Sequence, residues 1–318
     1  MATGHATSHP DIAKPARVTG RVSLALADIK LAHSVFALPF ALLGAVLVLA
    51  RQARAGLDGR TVALEIALVV LCMVSARTFA MLVNRLADRR LDAANPRTAG
   101  RAFARGALSA RDGAVMLAAS AGVFVLGAAG FGWADDNWWP LGLSLPVLAW
   151  IALYSYTKRF TWWCHVFLGG ALGASPLAAA LAVGGMDALL DAHAVWWLAG
   201  MVVCWVAGFD VIYALQDLEH DRSAGLNSVP ARFGWRGAAW ISRLLHAGAL
   251  ACLALAWLAE PRFGWAFLGG SAIVGALLAW EHALLARRGR AGIPMAFFTL
   301  NGVVSVVLGL AGAADAIW

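Results

Sequence analysis

Residues 194–221 read AVWWLAGMVVCWVAGFDVIYALQDLEHD, and the fold turns on them. Everything from Ala194 to Phe209 is apolar; then come Asp210, Tyr213, Asp217 and Asp221. The apolar run with its extension to Leu215 reaches the ~20 residues a helix needs to cross a hydrocarbon core of ~30 Å. It is continuous and does not alternate, which argues for a membrane helix and against a barrel strand.

The same signal recurs outward in both directions. Apolar stretches lie near 29–50, 62–83, 113–131, 139–156, 162–183, 237–258, 264–285 and 293–314, so nine spans are expected in an all-α membrane protein. Composition agrees: the 318 residues are 61% hydrophobic and only 14% charged, with a mean hydropathy of +0.72. A soluble domain would be about a quarter charged, so the expected solvent is a lipid bilayer. Residues 1–22 are mixed and polar and are expected to form a loose tail, without the compact apolar run and cleavage site of a signal peptide. Residues 23–318 are expected to form one transmembrane domain. Cys72, Cys164, Cys204 and Cys252 are scattered through apolar segments with no ligand spacing and read as packing residues.

Lys and Arg set the orientation. With the N-terminus inside, the inner segments carry Lys14, Arg17, Arg21 and Lys30, the Arg-rich stretch 85–111, Lys158 and Arg159, then Arg222, Arg232, Arg236, Arg287, Arg288 and Arg290. The outer ones hold Arg51, Arg54, Arg60 and Arg262. This bias accounts for the net charge of +7 without nucleic acid. The three Arg that follow the first span run against it. The expected location is a bacterial-type inner (plasma) membrane, multi-pass, with the N-terminus and loops 84–112 and 215–236 cytoplasmic.

Those two loops hold the chemistry. The first reads Asn84-x-x-x-Asp88-x-x-x-Asp92, the second Tyr213-x-x-x-Asp217-x-x-x-Asp221. On a helix, residues four apart share one face at about 6 Å per step. Asp88 and Asp217 are 129 residues apart, as are Asp92 and Asp221, so the chain reads as two diverged, related Asp-rich halves. Carboxylates at a membrane helix end are costly and need partners. Two facing acidic pairs repel, and a hard divalent cation such as Mg²⁺, with positions left open for phosphate oxygens, relieves that repulsion. Asp88, Asp92, Asp217 and Asp221 are thus the expected metal ligands. They act catalytically by neutralising charge on a departing pyrophosphate. Arg85, Arg97 and Arg101, with Lys158 and Arg159 in a very short loop, are expected to bind diphosphate oxygens.

The two motifs resemble those of the UbiA superfamily of intramembrane prenyltransferases, 4-hydroxybenzoate polyprenyltransferases among them. The likeness extends to His33-Ser-Val-Phe-Ala-Leu-Pro-Phe40, Asn95-Pro-Arg-Thr-Ala-Gly-Arg101, Tyr156-Thr-Lys-Arg-Phe-Thr161 and Ser228-Val-Pro-Ala-Arg-Phe-Gly234. It implies a prenyltransferase domain of nine helices around a central cavity, with Asn84, Asp88, Asp92, Tyr213, Asp217 and Asp221 holding a Mg²⁺-bound polyprenyl diphosphate. It also implies a small aromatic acid as acceptor, in ubiquinone or, by the wording of the first span, futalosine-route menaquinone synthesis. Asp210, an acid one turn above Tyr213 on an apolar helix, is expected to act in catalysis, and His33 to line the acceptor pocket. His220 could orient a carboxylate or face water. Glu65, Glu281 and Arg77 could reach an interface or pair within the bundle. A secondary transporter also has repeats and intramembrane acids, but its acids would sit at mid-membrane.

Overall fold

The computed structural model describes residues 18–29, 36–54, 56 and 58–318. Among them there is no strand, and the helices run α1 Val18–Ile29, α2 Leu38–Arg54, α3 Gly59–Ala94, α4 Ala110–Asp135, α5 Trp139–Thr157, α6 Cys164–Asp191, α7 His193–Ala214, α8 Leu218–Ser223, α9 Val229–Ala259, α10 Trp265–Arg288 and α11 Asn301–Ile317. Eight segments are long and apolar enough to cross a membrane, and α2, with 17 residues, is an apolar but shorter ninth. The all-α membrane expectation stands, and residues 30–35 of the first expected span lie outside the described residues. Residues 18–29 form α1, whose Leu24 and Ala25 pack on Met81, Leu82 and Phe103.

The middle of the bundle is α7. Val195, Leu198, Val202, Trp205, Val206, Val211 and Ile212 are all fully buried, which explains why residues 194–209 carry no polar face. With no hydrophobic force between helices in lipid, close backbone approach does the packing. A methyl group on Gly169 of α6 would strike the Val203 carbonyl of α7, and one on Gly44 of α2 would strike the Pro176 carbonyl of α6. Bulky residues at these two positions would push the helices apart. Many large apolar side chains elsewhere stay exposed, among them Trp133, Trp240, Leu244 and Trp265, as expected of a lipid-facing surface.

At the end away from the motifs, Arg51 Nη2 bonds Glu260 at 2.9 Å, and Arg262 bonds the same carboxylate at 2.8 Å and the Leu47 carbonyl at 2.8 Å. Arg51 is thus an ion-pair partner, which accounts for one of the Arg that break the charge bias. Glu281, fully buried on α10, accepts from Asn301 at 3.4 Å, and Asn301 in turn accepts from Trp205 at 2.6 Å. Its sequence reading as a residue paired within the bundle agrees with this.

Candidate functional site

The last turns of α3, the α5–α6 loop and the chain after α7 enclose a cavity of about 220 Å³. Asn84, Asp88 and Asp92 all line it, because α3 continues unbroken to Ala94 and keeps the four-residue step on one face. The second half differs. Leu215–Asp217 is a 3₁₀ turn and α8 restarts at Leu218, so the equal spacing does not give an equal helix. Tyr213, Asp217 and Asp221 still reach the cavity, together with Asp210, His220, Arg97, Arg101 and Lys158.

All five acids have their partners on other segments, and three of them are paired with cations. Asp88, only 2% exposed, takes an ion pair from Lys158 and a 3.0 Å bond from Arg159 Nη2. Asp92 receives Arg101 Nη1 at 2.7 and 2.8 Å on its two oxygens. Asp217 is gripped by the Arg97 fork, with Nε at 2.9 Å from Oδ1 and Nη2 on Oδ2, while Asn95 Nδ2 adds a third bond at 2.9 Å. Arg97 Nη1 also donates to the Tyr213 hydroxyl at 3.1 Å. Burial alone would lower the Arg97 guanidinium, but its bonds to Asp217 and Tyr213 outweigh that and hold it above its ordinary value. Asp221 accepts from Ser228 Oγ at 2.9 Å, and Ser228 is the N-cap of α9. Asp210 has no cation: its Oδ2 lies 2.7 Å from His165 Nδ1.

Arg159 meets the cavity only through its bond to Asp88, and two further expected residues are not found in the lining. Arg85 does not line the cavity. One position past Asn84, it turns about 100° around α3 and is buried under α1, with Nε 3.6 Å from Asp28. His33 lies outside the described residues. The residues missed were Asn95, Tyr154 and His165. Asn95 stood inside a quoted motif, and His165 is a lone polar residue at the start of an apolar helix, a signal that the Asp-centred reading passed over.

Beside the polar cavity lies an apolar one of about 310 Å³, walled by Val69, Met73, Phe124, Phe131, Ile151 and Leu172. Tyr154 lines both. Arg77 also lines the apolar cavity, and its Nε is shut off from solvent with no hydrogen-bond partner among the described residues.

Comparison with known proteins gives a consistent picture. The family model described as "UbiA prenyltransferase family" matches residues 37–303. A 4-hydroxybenzoate octaprenyltransferase of Alcanivorax borkumensis is 32% identical over 220 residues, 69% of this chain and 71% of that protein. One of Shewanella sediminis is 33% identical over 232 residues, covering 72% and 76%. Among solved structures, the apo form of a UbiA homolog from Aeropyrum pernix K1 superposes with a TM-score of 0.77 at 31% identity, over 89% of this chain and 98% of that one. A UbiA homolog from Archaeoglobus fulgidus bound to GPP and Mg²⁺ shares the fold, with a TM-score of 0.65 at 18% identity, over 92% of this chain and 99% of that one.

Proposed function

The chain belongs to the UbiA prenyltransferase family, and on that premise we propose that it moves a polyprenyl group from its diphosphate to the ring of 4-hydroxybenzoate, with Mg²⁺, in respiratory quinone synthesis. It is a multi-pass integral membrane protein and an aromatic polyprenyltransferase. The observation that carries the finer reading is the pairing of two cavities. An acid- and cation-lined one meets an apolar one at Tyr154, matching a substrate with a charged head and a long greasy tail. The transporter reading is set aside, because the acids gather at one end of the bundle and not at mid-span.

The donor set fits Mg²⁺. The motif residues offer hard oxygen ligands, from four carboxylates, the Asn84 amide oxygen and the Tyr213 hydroxyl. Among the described residues no three acidic, His or Cys side chains converge into a ready cage. Mg²⁺ needs none, since it binds through one or two carboxylates and completes its shell with phosphate oxygens and water. When bound, it supplies charge neutralisation for the departing pyrophosphate. Lys158, Arg159, Arg97 and Arg101 balance the carboxylates until substrate arrives and are then within reach of the diphosphate oxygens. The allylic C–O bond breaks with its electron pair going to pyrophosphate, and a ring π pair forms the new C–C bond. The ring proton passes to Asp210, and the C–H pair restores aromaticity. Asp210 suits that task because it lines the polar cavity and only its Oδ2 is held, by His165, which leaves Oδ1 open to a proton among the described residues. Arg77, which lines the apolar cavity and has no partner for its Nε among the described residues, is the cation available for the acceptor's carboxylate. The motif end faces the cytoplasm of a bacterial inner membrane, in keeping with its Lys and Arg.

Membranes carrying the protein should transfer label from a polyprenyl diphosphate to 4-hydroxybenzoate, and EDTA should stop this. Transfer that survives Asp88→Asn with Asp217→Asn would sink the metal–diphosphate assignment. Competition between 4-hydroxybenzoate and the futalosine-route aromatic acid decides the acceptor.

A further inference from the structure

His165 opens α6 with only 3% of its surface exposed, and both ring nitrogens are engaged. The backbone N–H of Val229 donates to Nε2 at 3.2 Å. An amide N–H can only donate, so Nε2 carries no proton, and the ring hydrogen must sit on Nδ1. That hydrogen points at Asp210 Oδ2, 2.7 Å away. The tautomer is therefore fixed by the backbone of α9, three helices on in the chain. Asp210 Oδ1 makes no hydrogen bond among the described residues, and Asp210 lines the polar cavity.

The donor at Val229 is itself rigidly held. Ser228, one residue before, caps α9 by accepting the Ala231 N–H at 3.2 Å and donates to Asp221. Asn227 N–H bonds the Lys158 carbonyl at 2.7 Å, and Leu226 N–H bonds the Asp221 carbonyl at 2.8 Å. Four consecutive residues, Leu226 to Val229, thus tie Asp221, the Lys158 loop and His165 together.

We propose that His165 is a positioning residue: held at Nε2 by the α9 N-terminus, it donates Nδ1–H to Asp210 and fixes that carboxylate's free oxygen towards the aromatic acceptor. The inference rests on the prenyl-transfer reading above. It adds that the start of α9 aligns both halves of the reaction, Asp221 through Ser228 and Asp210 through His165. Without His165, the Asp210 carboxyl is free to rotate about its side-chain bonds, which misdirects the acceptor step and leaves diphosphate binding alone.

The test uses the full-length protein in membranes with geranyl diphosphate, Mg²⁺ and 4-hydroxybenzoate. His165→Met fills the space without hydrogen bonds, while His165→Gln offers one acceptor and one donor. Expected for His165→Met is a fall of about tenfold to a hundredfold in kcat, with the KM for geranyl diphosphate within about twofold of the parent. His165→Gln should recover most of that loss, and His165→Met added to Asp210→Asn should cost nothing more. The inference is overturned if His165→Met keeps the parental kcat, if His165→Gln is as poor as His165→Met with equal thermal midpoints, or if the KM for geranyl diphosphate rises in step. Should His165→Met fail to accumulate, His165→Asn, which is too short to span Val229 and Asp210 together, replaces it with the same expected fall. An inactive parent protein strikes at the prenyl-transfer reading instead, so the two failures are distinct.

Discussion

Replacing Arg97 with Lys keeps the charge and removes the fork. In the parent, one guanidinium makes three directed bonds, two to the carboxylate of Asp217 and one to the Tyr213 hydroxyl, and lies 5.3 Å from the Tyr213 ring centre. An ammonium is a single point donor and can keep about one of the three. A charge-assisted bond contributes about 1.5–3 kcal/mol when buried. The Arg97 side chain is 32% exposed, so about 1 kcal/mol per bond is the sounder figure. Two lost bonds then cost about 2 kcal/mol, or roughly thirtyfold in kcat/KM for the prenyl diphosphate. The assay is label transfer to 4-hydroxybenzoate at low diphosphate concentration, in reconstituted vesicles. A cycle with Asp217→Asn should show strong coupling, because each single change already breaks the same contact. Activity of Arg97→Lys within twofold of the parent, or strict additivity with Asp217→Asn, would refute the argument that this fork orders the second motif.

Two other predictions concern different parts of the bundle. Arg77→Met should raise the KM for the aromatic acid by about tenfold or more, the value of one lost charge-assisted bond, with diphosphate kinetics unchanged; an unaltered acceptor KM removes Arg77 from the pocket. At the far end, burial pushes the Glu260 carboxyl up, but Arg262 and then Arg51 more than reverse this and leave it below its usual range. A depressed folded value means the unfolded chain binds the proton more readily. The stabilisation, on the order of 1–2 kcal/mol for such a pair, is therefore whole above about pH 4.5 and is lost as the pH falls through the folded value. The thermal midpoint in detergent should fall more steeply between about pH 5 and pH 3 for the parent than for Glu260→Gln, and parallel curves would dismiss the pair as a pH-linked contributor.

Spans and the first motif were legible because both depend on local pattern. The apolar runs mark the helices, and Asn84, Asp88 and Asp92 share a face because α3 stays regular. The second motif has the same spacing but a different backbone, since a four-residue step is compatible with an α-helix or with a 3₁₀ joint followed by a new helix. Pairings such as Arg97 with Asp217 or Arg51 with Glu260 join residues more than a hundred positions apart, and no local pattern announces them. Arg85 read as a site residue because sequence proximity to Asn84 hides which way a neighbour turns. His165 stayed hidden because its meaning lies in two bonds, one to a backbone amide that any residue could have supplied.

The 3₁₀ joint at Leu215–Asp217 has a mechanical consequence. The first motif stands on an uninterrupted column whose every turn braces the next, so Asp88 and Asp92 move only if α3 moves. The second stands on a joint with poorer hydrogen-bond geometry, between the most deeply buried helix of the bundle and the six-residue α8. Two sequences that look like copies thus stand on unlike footings, one braced by its own helix, the other by bonds that Arg97, Asn95 and Ser228 lend it from outside.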